Sequence, residues 1–422
     1  MSQAVPQNIL EKRDRYYRRN YIAMMVEGFC VSFSFTIFSN STVLPAYISN
    51  ISDNAMYISL LALLFFALSN ASMLFSCVLG YNTKSAKWMM VGVCFIQRIG
   101  QLLILLTTWA LTGSTALALL LFFLSYALYS ASQGTAMPVF TGMISSLITK
   151  NIAGFFGSYA FMGALGGLLS AQALRMLLPA ASFPFNYRAV FTYGLAAALF
   201  STLLGAVFVK EVRDPTPREK MRFSQLPGAF MDISRTNHAY RHFLINRLCF
   251  AAAEMAIPFY IIQVGTFEHS NEAFIGAMSM MLLAGNAIFS KILGYIGDRS
   301  GPLFLLRIGG FAGIAASLLA VIMPSQGWGY LLFLLVSCAI SSVSLSTSVA
   351  NISFSSKGYA PVYTAMTGLV IAPIYAIFAF FGGVLAEKLS LAALFLVSLL
   401  VYGLALTVNY FMSAKKTQTT EK

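Results

Sequence analysis

One segment of this sequence occurs twice, half the chain apart. Phe75–Tyr81 (FSCVLGY) returns as Phe289–Tyr295 (FSKILGY) in a chain of 422 residues. A second pair, Tyr159-Ala160 and Tyr375-Ala376, repeats at nearly the same separation. Self-similarity at a fixed offset indicates that the chain was built twice from one unit. Because both copies lie among long apolar stretches, the unit is predicted to be a set of membrane helices.

The composition excludes a water-soluble globule. Hydrophobic residues make up 58% of the chain and charged residues only 10%, against about 25% charged in a typical soluble domain. Apolar windows of about twenty residues can each cross a bilayer as a helix. The windows are too long, and lack the alternation, for the strands of a membrane barrel. An all-α integral membrane protein with twelve spans is predicted, at residues 20–48, 56–78, 87–110, 115–138, 152–177, 188–210, 241–266, 272–296, 303–323, 328–352, 361–386 and 390–413.

Basic residues predict the orientation of these spans. If the N-terminus is cytoplasmic, the outer loops hold only Arg175, Arg188 and Lys388 of the 27 Lys and Arg residues. Cytoplasmic loops of membrane proteins carry an excess of Lys and Arg. Both termini are therefore expected in the cytoplasm, and the protein is expected in the cytoplasmic membrane. Since topology accounts for the net charge of +13, the lipid bilayer is the expected partner and nucleic acid is not.

The one long polar segment inside the chain divides it into two halves. Residues 211–240 contain Pro215, Pro217 and Pro227 and both signs of charge, which is typical of a linker. A short interfacial helix is expected near 224–233. Because both halves begin on the same side, they are predicted to be parallel repeats. The predicted division is a tail 1–19, a six-helix half 20–210, the linker 211–240, a six-helix half 241–413 and a tail 414–422.

A motif follows the second copy of the repeat. Gly294-x-x-x-Asp298-Arg299-x-Gly301 lies at the predicted cytoplasmic end of span eight. With the twelve spans, it resembles the Gly-x-x-x-Asp-Arg-x-Gly signature of the major facilitator superfamily. The first half departs from the signature, because Lys84 and Ser85 stand at its Asp and Arg positions. The resemblance implies a 12-helix bundle of two six-helix parallel repeats that transports a small-molecule substrate by alternating access. We expect a monomer.

The residue types of this motif suggest a conformational switch, formed by Gly294, Asp298, Arg299 and Gly301. Helix ends leave unpaired backbone N–H groups, which attract a carboxylate. Asp298 could dock on the N-terminus of a neighbouring helix in one conformation and release it in another. The alternative is a static contact at a helix end.

Few ionisable residues lie deep within the spans. They are Glu27 in span one, Arg98 in span three, and Arg247 and Glu254 in span seven. A charge at the bilayer centre costs about 3 kcal/mol or more, so each is expected to face the interior of the bundle. The family resemblance places spans one and seven at the central cavity, which favours Glu27 and Glu254 as residues of the transport pathway.

Each of these charges has a functional and a structural interpretation. A carboxyl group with little water around it can take up a proton near neutral pH, so Glu27 is the first candidate for proton coupling and Glu254 the second. The alternative is a buried ion pair, such as Glu27 with Arg98. Either Arg98 or Arg247 could hold an anionic substrate through two hydrogen bonds, whereas Arg247 could also reach the cytoplasmic interface.

Neutral polar residues complete the candidate site. Gln101, Gln133 and Asn286 could line a polar cavity, or form hydrogen bonds between helices. His238 and His242 are four apart but have no third ligand nearby, so a metal site is not expected. The sequence shows no phosphate-binding loop and no catalytic cluster. We therefore expect no cofactor and no enzymatic activity.

A facilitator without ion coupling remains open at this point, and so do three other functions. The first is a secondary active transporter of a small solute, coupled to protons, with the two buried Arg residues favouring an organic anion. The second is a proton-driven exporter of lipophilic or cationic compounds, which would use Glu27 and the many Phe and Met residues for adaptable contacts. The third is a membrane sensor or scaffold that transports nothing, although the predicted loops leave no long output domain.

The predicted topology can be tested by cysteine labelling in a variant without native cysteines. An introduced thiol at Ser224, in the linker, should react with an impermeant maleimide only after the cells are opened. A thiol at Ser182, in an outer loop, serves as the control and should react in intact cells. Labelling of Ser224→Cys in intact cells would contradict the orientation.

Overall fold

The structure, a computed structural model, is built from helices. Among the residues that it describes there is no strand. Parts of the predicted tails and linker, namely residues 1–6, 213–219 and 421–422, lie outside the described residues. The residues described are 7–40, 42–52, 54–110, 114–212, 220–266, 272–356 and 358–420.

Seven α-helices precede the linker among the described residues. Side-chain caps mark where some begin: Asn54 accepts the N–H of Met56, and Ser114 that of Leu117. The predicted span 20–48 is wrong at its outer end, because a polar stretch interrupts the helix after Ile37 and a short helix follows. The helices are α1 (Gln7–Ile37), α2 (Val43–Ser49), α3 (Ala55–Asn82), α4 (Ala86–Ala110), α5 (Thr115–Leu147), α6 (Ile152–Leu177) and α7 (Phe185–Phe208).

From the linker onward, the described residues form seven more α-helices. The first lies where the short interfacial helix was predicted. They are α8 (Leu226–Thr236), α9 (His238–Ala253), α10 (Tyr260–Gly265), α11 (Glu272–Ile322), α12 (Gly329–Ser353), α13 (Ala360–Lys388) and α14 (Leu391–Thr420).

The described residues contain eleven helical segments that are long and apolar enough to cross a membrane. One of them, Met280–Ile322, covers two predicted spans. Gly301 interrupts α11 with φ +76° and ψ 177°, so the apparent single helix is two helices that meet at a kink. A residue with a β-carbon rarely adopts this conformation, and Pro302 suits the start of the next helix. The all-α, twelve-span fold is therefore confirmed.

The chain packs as two compact units. The first comprises residues 1–150, 162–226 and 356–365, and the second residues 151–161, 227–355 and 366–422. The first turns of α6 thus pack within the second unit, and those of α13 within the first. These units describe packing only, and the predicted division into halves 20–210 and 241–413 stays a prediction.

Glycines bring helix backbones together inside the first unit. A β-carbon on Gly166 of α6 would overlap the carbonyl oxygen of Phe29 on α1. Small residues at such positions are typical of tightly packed membrane helices. By contrast, a β-carbon on Gly383 of α13 would meet nothing within 4 Å.

These two glycines give a matched prediction about stability. Gly166→Ala should lower the melting temperature of the purified protein, because forcing atoms into a packed contact costs about 1–3 kcal/mol. Gly383→Ala should leave it unchanged or raise it, since Ala favours a helix over Gly by up to about 1 kcal/mol. Thermal unfolding in one detergent measures both. Equal melting temperatures for the two variants would contradict the close α1–α6 contact.

Candidate functional site

A buried polar cluster lies on α4 in the first unit. Gln97 and Arg98 are each 2% exposed and Gln101 is fully buried. Arg98 Nε donates to the carbonyl oxygen of Ala198 (3.0 Å) and to Thr202 Oγ1 (3.2 Å), both on α7. Arg98 Nη1 donates to Gln97 Oε1. Arg98 Nη2 and Gln97 Nε2 have no hydrogen-bond partner in the part of the chain that the structure describes.

The predicted cavity residues of this unit take part in local hydrogen bonds. Gln101 Nε2 donates to Ser34 Oγ on α1 at 3.1 Å, so it joins two helices. Gln133 Nε2 donates to the hydroxyl of Tyr129 at 2.9 Å, one turn earlier on α5. Together with Arg98, Gln101 ties α4 to both α1 and α7.

Glu27 borders a small cavity between α1, α4, α5 and α7. Its Oε1 accepts a hydrogen bond from Ser201 Oγ at 3.3 Å, and the residue is 7% exposed. The cavity, of about 20 Å³, is also lined by Lys87, Cys94 and Thr202. This is room for about one water molecule. Because Thr202 also binds Arg98, the structure brings Glu27 and Arg98 to neighbouring parts of one polar cluster.

The seventh span is broken at a carboxylate. α9 ends at Ala253, a 3₁₀ segment runs over Glu254–Phe259, and α10 follows. Pro258 accounts for the break, because it has no N–H and its ring clashes with the carbonyl group of residue 254 in a regular helix. Ser398 Oγ donates to Ala253 O at 2.7 Å, where α9 meets the 3₁₀ segment. Broken helices at membrane depth are typical of binding sites in transporters.

Arg247 and Glu254 form a buried ion pair at this break. Arg247 Nη2 lies 3.4 Å from Glu254 Oε2, and both side chains are 7% exposed. The hydroxyl of Tyr375 on α13 donates to Glu254 Oε2 and accepts from Arg247 Nη2. Arg247 Nε donates to Thr347 Oγ1 on α12 at 3.2 Å. Among the described residues, Arg247 Nη1 has no partner.

Tyr375 was missed as a site residue by sequence reasoning. Its only sequence signal was the repeated pair Tyr159-Ala160 and Tyr375-Ala376, which marks an equivalent position but no contact. Asn286 has an interhelical role, because Ser341 Oγ on α12 donates to its Oδ1 at 3.0 Å.

The Asp298 carboxylate lies on the N-terminus of α6. Its Oδ1 accepts from the N–H of Ala153 at 2.8 Å, and its Oδ2 from that of Gly154 at 2.9 Å. These N–H groups have no partner within their own helix, and the helix dipole favours a negative charge there. Glycine at 294 allows the approach, since a β-carbon there would lie 2.8 Å from the carbonyl oxygen of Ala153.

Two basic residues surround this contact. Lys291 Nζ donates to Ser158 Oγ on α6 at 2.7 Å, a second bond between α11 and α6. The Arg299 guanidinium lies over the ring of Tyr295, 4.3 Å from its centroid.

The first unit places a different carboxylate on a helix N-terminus. Glu211, just after α7, accepts from the N–H groups of Ala86 (2.9 Å) and Lys87 (3.2 Å) and from Ser85 Oγ. Lys84, at the Asp position of the degenerate motif, is exposed. Sequence reasoning missed Glu211, because it assigned this residue to the polar linker.

The Asp298 contact predicts a local change in amide hydrogen exchange. Asp298→Asn removes the charge and one acceptor, so the amides at the start of α6 should exchange faster. Mass spectrometry of peptides that cover residues 151–161 measures this. Asp232→Asn, at an exposed position on α8, is the matched control. Unchanged protection in Asp298→Asn would show that the carboxylate does not hold this helix end.

Comparisons with known proteins agree with this architecture. A family model for the Major Facilitator Superfamily matches residues 24–373. No curated protein sequence matches the chain. Among solved structures, the E. coli fucose:proton symporter FucP is similar with a TM-score of 0.74 at 11% identity, over 93% of this chain and 98% of that chain.

Two further solved structures are similar over 93% of this chain and 99% of theirs, each with a TM-score of 0.71. The human organic anion transporter MFSD10 is 15% identical. A bacterial homologue of the iron transporter ferroportin, in an outward-facing state, is 13% identical. Structural similarity at such low sequence identities shows only that the fold is shared.

Proposed function

This chain belongs to the Major Facilitator Superfamily of membrane transporters, and we propose that it couples the movement of a small organic anion to that of protons. The observation that carries the proposal is the buried Arg247–Glu254 pair at the break in span seven. From the distribution of basic residues, we place the protein in the cytoplasmic membrane with both termini inside.

Arg247 supports an anionic substrate. Its guanidinium group is held by Thr347, Tyr375 and Glu254, and Nη1 remains without a partner among the described residues. A guanidinium group can bind a carboxylate through two parallel hydrogen bonds. A substrate carboxylate that takes Nη1 and Nη2 would therefore have to displace Glu254.

The same pair supports coupling to protons. When Glu254 is ionised, it occupies Arg247; when it is protonated, its attraction for the guanidinium group falls and Arg247 can accept the anion. Proton binding and anion binding then favour each other, and such coupling is reciprocal. Tyr375 can bond to Glu254 in either state, because its hydroxyl both donates and accepts.

Glu27 is the other candidate for the proton. It lies against a cavity with room for about one water molecule, beside the Arg98 cluster. A proton on Glu27 would change the charge next to Arg98, whose Nη2 also has no partner in the described part of the chain.

The residues that line this cavity favour a second function, the export of lipophilic cations. Met24, Met90 and Met143 line it together with Glu27. Methionine side chains adapt to varied apolar shapes, and a carboxylate can bind an amine. The cavity as it stands has room for about one water molecule, so it would have to widen in another conformation to hold a lipophilic cation. Transport of a lipophilic amine rather than an organic anion would favour this second function.

The coupling proposal predicts different effects for two substitutions. In liposomes with an imposed pH gradient, the wild type should concentrate a member of a panel of radiolabelled organic anions. Glu254→Gln should abolish this accumulation, because the amide cannot titrate. Glu387→Gln, an exposed carboxylate at the end of α13, is the control and should behave as the wild type.

The outcome for Glu27→Gln separates the two candidates. Loss of gradient-driven accumulation in Glu27→Gln alone would assign the proton to Glu27. Gradient-driven accumulation by both variants at the wild-type level would contradict coupling at either carboxylate. Size-exclusion profiles establish that each variant is folded before transport is compared.

A further inference from the structure

Three basic side chains converge where α1, α4 and α7 meet. Arg19 Nε donates to the carbonyl oxygen of Phe208 at 2.7 Å, which fixes α1 to the end of α7. Asn20 Nδ2 donates to the carbonyl oxygen of Lys210 at 2.9 Å, and Asn20 Oδ1 accepts from the N–H of Lys210 at 2.8 Å. Lys87, at the start of α4, interacts electrostatically with both Lys210 and Arg19. We call Arg19, Lys87 and Lys210 the basic corner.

The positive charge of the basic corner is not balanced. Two carboxylates lie near it. Glu27 lines the same small cavity as Lys87, and Glu211 interacts electrostatically with Lys87 while both of its oxygens accept hydrogen bonds from the N-terminus of α4. Lys87 is only 8% exposed, and its ammonium lies 4.7 Å from the centroid of the Trp88 ring. No ion pair of Lys87 occurs within the described residues. Like charges held together repel, so an external anion would stabilise this arrangement.

Apolar surface adjoins the basic corner. Trp88 is 55% exposed, Phe208 is 51% exposed and Val207 is 59% exposed. They belong to α4 and α7, two helices that are apolar and long enough to span a membrane. Exposed aromatic side chains at the ends of such helices lie at the level of the lipid head groups. The basic corner therefore adjoins a surface suited to acyl chains.

We propose that the basic corner binds the phosphate group of an anionic phospholipid. The phosphate accepts hydrogen bonds from Lys87 and Lys210, and the acyl chains lie along Trp88 and Phe208. Basic pockets between helices on the cytoplasmic side are suited to anionic head groups. A zwitterionic lipid fits less well, because its own cation opposes the three basic side chains. The site does not depend on which solute the protein carries.

The test uses the full-length protein in detergent, titrated with dioleoylphosphatidylglycerol, while the melting temperature is recorded. Parallel titrations use dioleoylphosphatidylcholine and inorganic phosphate at the same concentrations. The lipid with a net negative charge should stabilise the wild type, and the other two additives should have little effect. The midpoint concentration of the transition measures affinity.

The midpoint concentration is compared among the wild type and three double variants. Lys87→Gln/Lys210→Gln should raise the midpoint about 25-fold, since each basic residue near an anionic lipid contributes about a fivefold gain in affinity. Arg175→Gln/Lys388→Gln, with the same change in charge at exposed positions, should leave it unchanged. Lys87→Arg/Lys210→Arg retains the charge and should bind as the wild type, which shows that the sites tolerate substitution.

Three results would overturn the proposal. Equal midpoints for the Gln double variant and the wild type would show that the basic corner does not bind the head group. Equal stabilisation by phosphatidylcholine would show that charge is not recognised. Stabilisation by inorganic phosphate at the same concentration would indicate a site for free anions instead of a lipid.

Discussion

Burial of charge away from water is the constraint on which this structure depends. An ionised side chain at the centre of a membrane costs about 3 kcal/mol or more, so it must find partners inside the bundle. Arg98 finds them in a backbone carbonyl and a hydroxyl of α7. Arg247 finds them in Glu254, Tyr375 and Thr347. Each arrangement joins helices that are distant in sequence.

The two Arg residues also share an incomplete set of hydrogen bonds. A guanidinium group has five N–H donors, and in each residue one terminal nitrogen lacks a partner among the described residues. A buried unsatisfied donor is destabilising, and under the proposed function these nitrogens are where the substrate would bind. The Arg247 pair is the stronger candidate, because it lies at a break in a span and includes a carboxylate that can exchange with an anion.

Two other carboxylates each bind the N-terminus of a helix. Asp298 binds the first N–H groups of α6, and Glu211 those of α4. The first carboxylate comes from the sequence motif, whereas the second comes from the start of the linker. The first-half motif has Lys84 where the family signature has Asp. The N-terminus of α4 is instead capped by Glu211, which lies outside the motif.

The sequence was sufficient for the fold but not for the partners in the site. Hydropathy predicts two separate spans, 272–296 and 303–323, and α11 is interrupted between them at Gly301. Pro258 lay in a predicted span, yet the break at Glu254 was not foreseen, because hydropathy does not report backbone geometry. The roles of Tyr375 and Glu211 depend on which helix faces meet, and a single sequence carries no such information.

Replacing both members of the ion pair tests whether Arg247 and Glu254 couple proton movement to anion movement. Arg247→Gln/Glu254→Gln replaces both charges by amides that can bond to each other. Because both charges are removed together, no uncompensated buried charge is left, so the melting temperature should stay near that of the wild type. In liposomes with an imposed pH gradient, accumulation of the organic anion should be abolished. Accumulation at the wild-type level by the folded double variant would show that the pair is structural and would contradict coupling at Arg247 and Glu254.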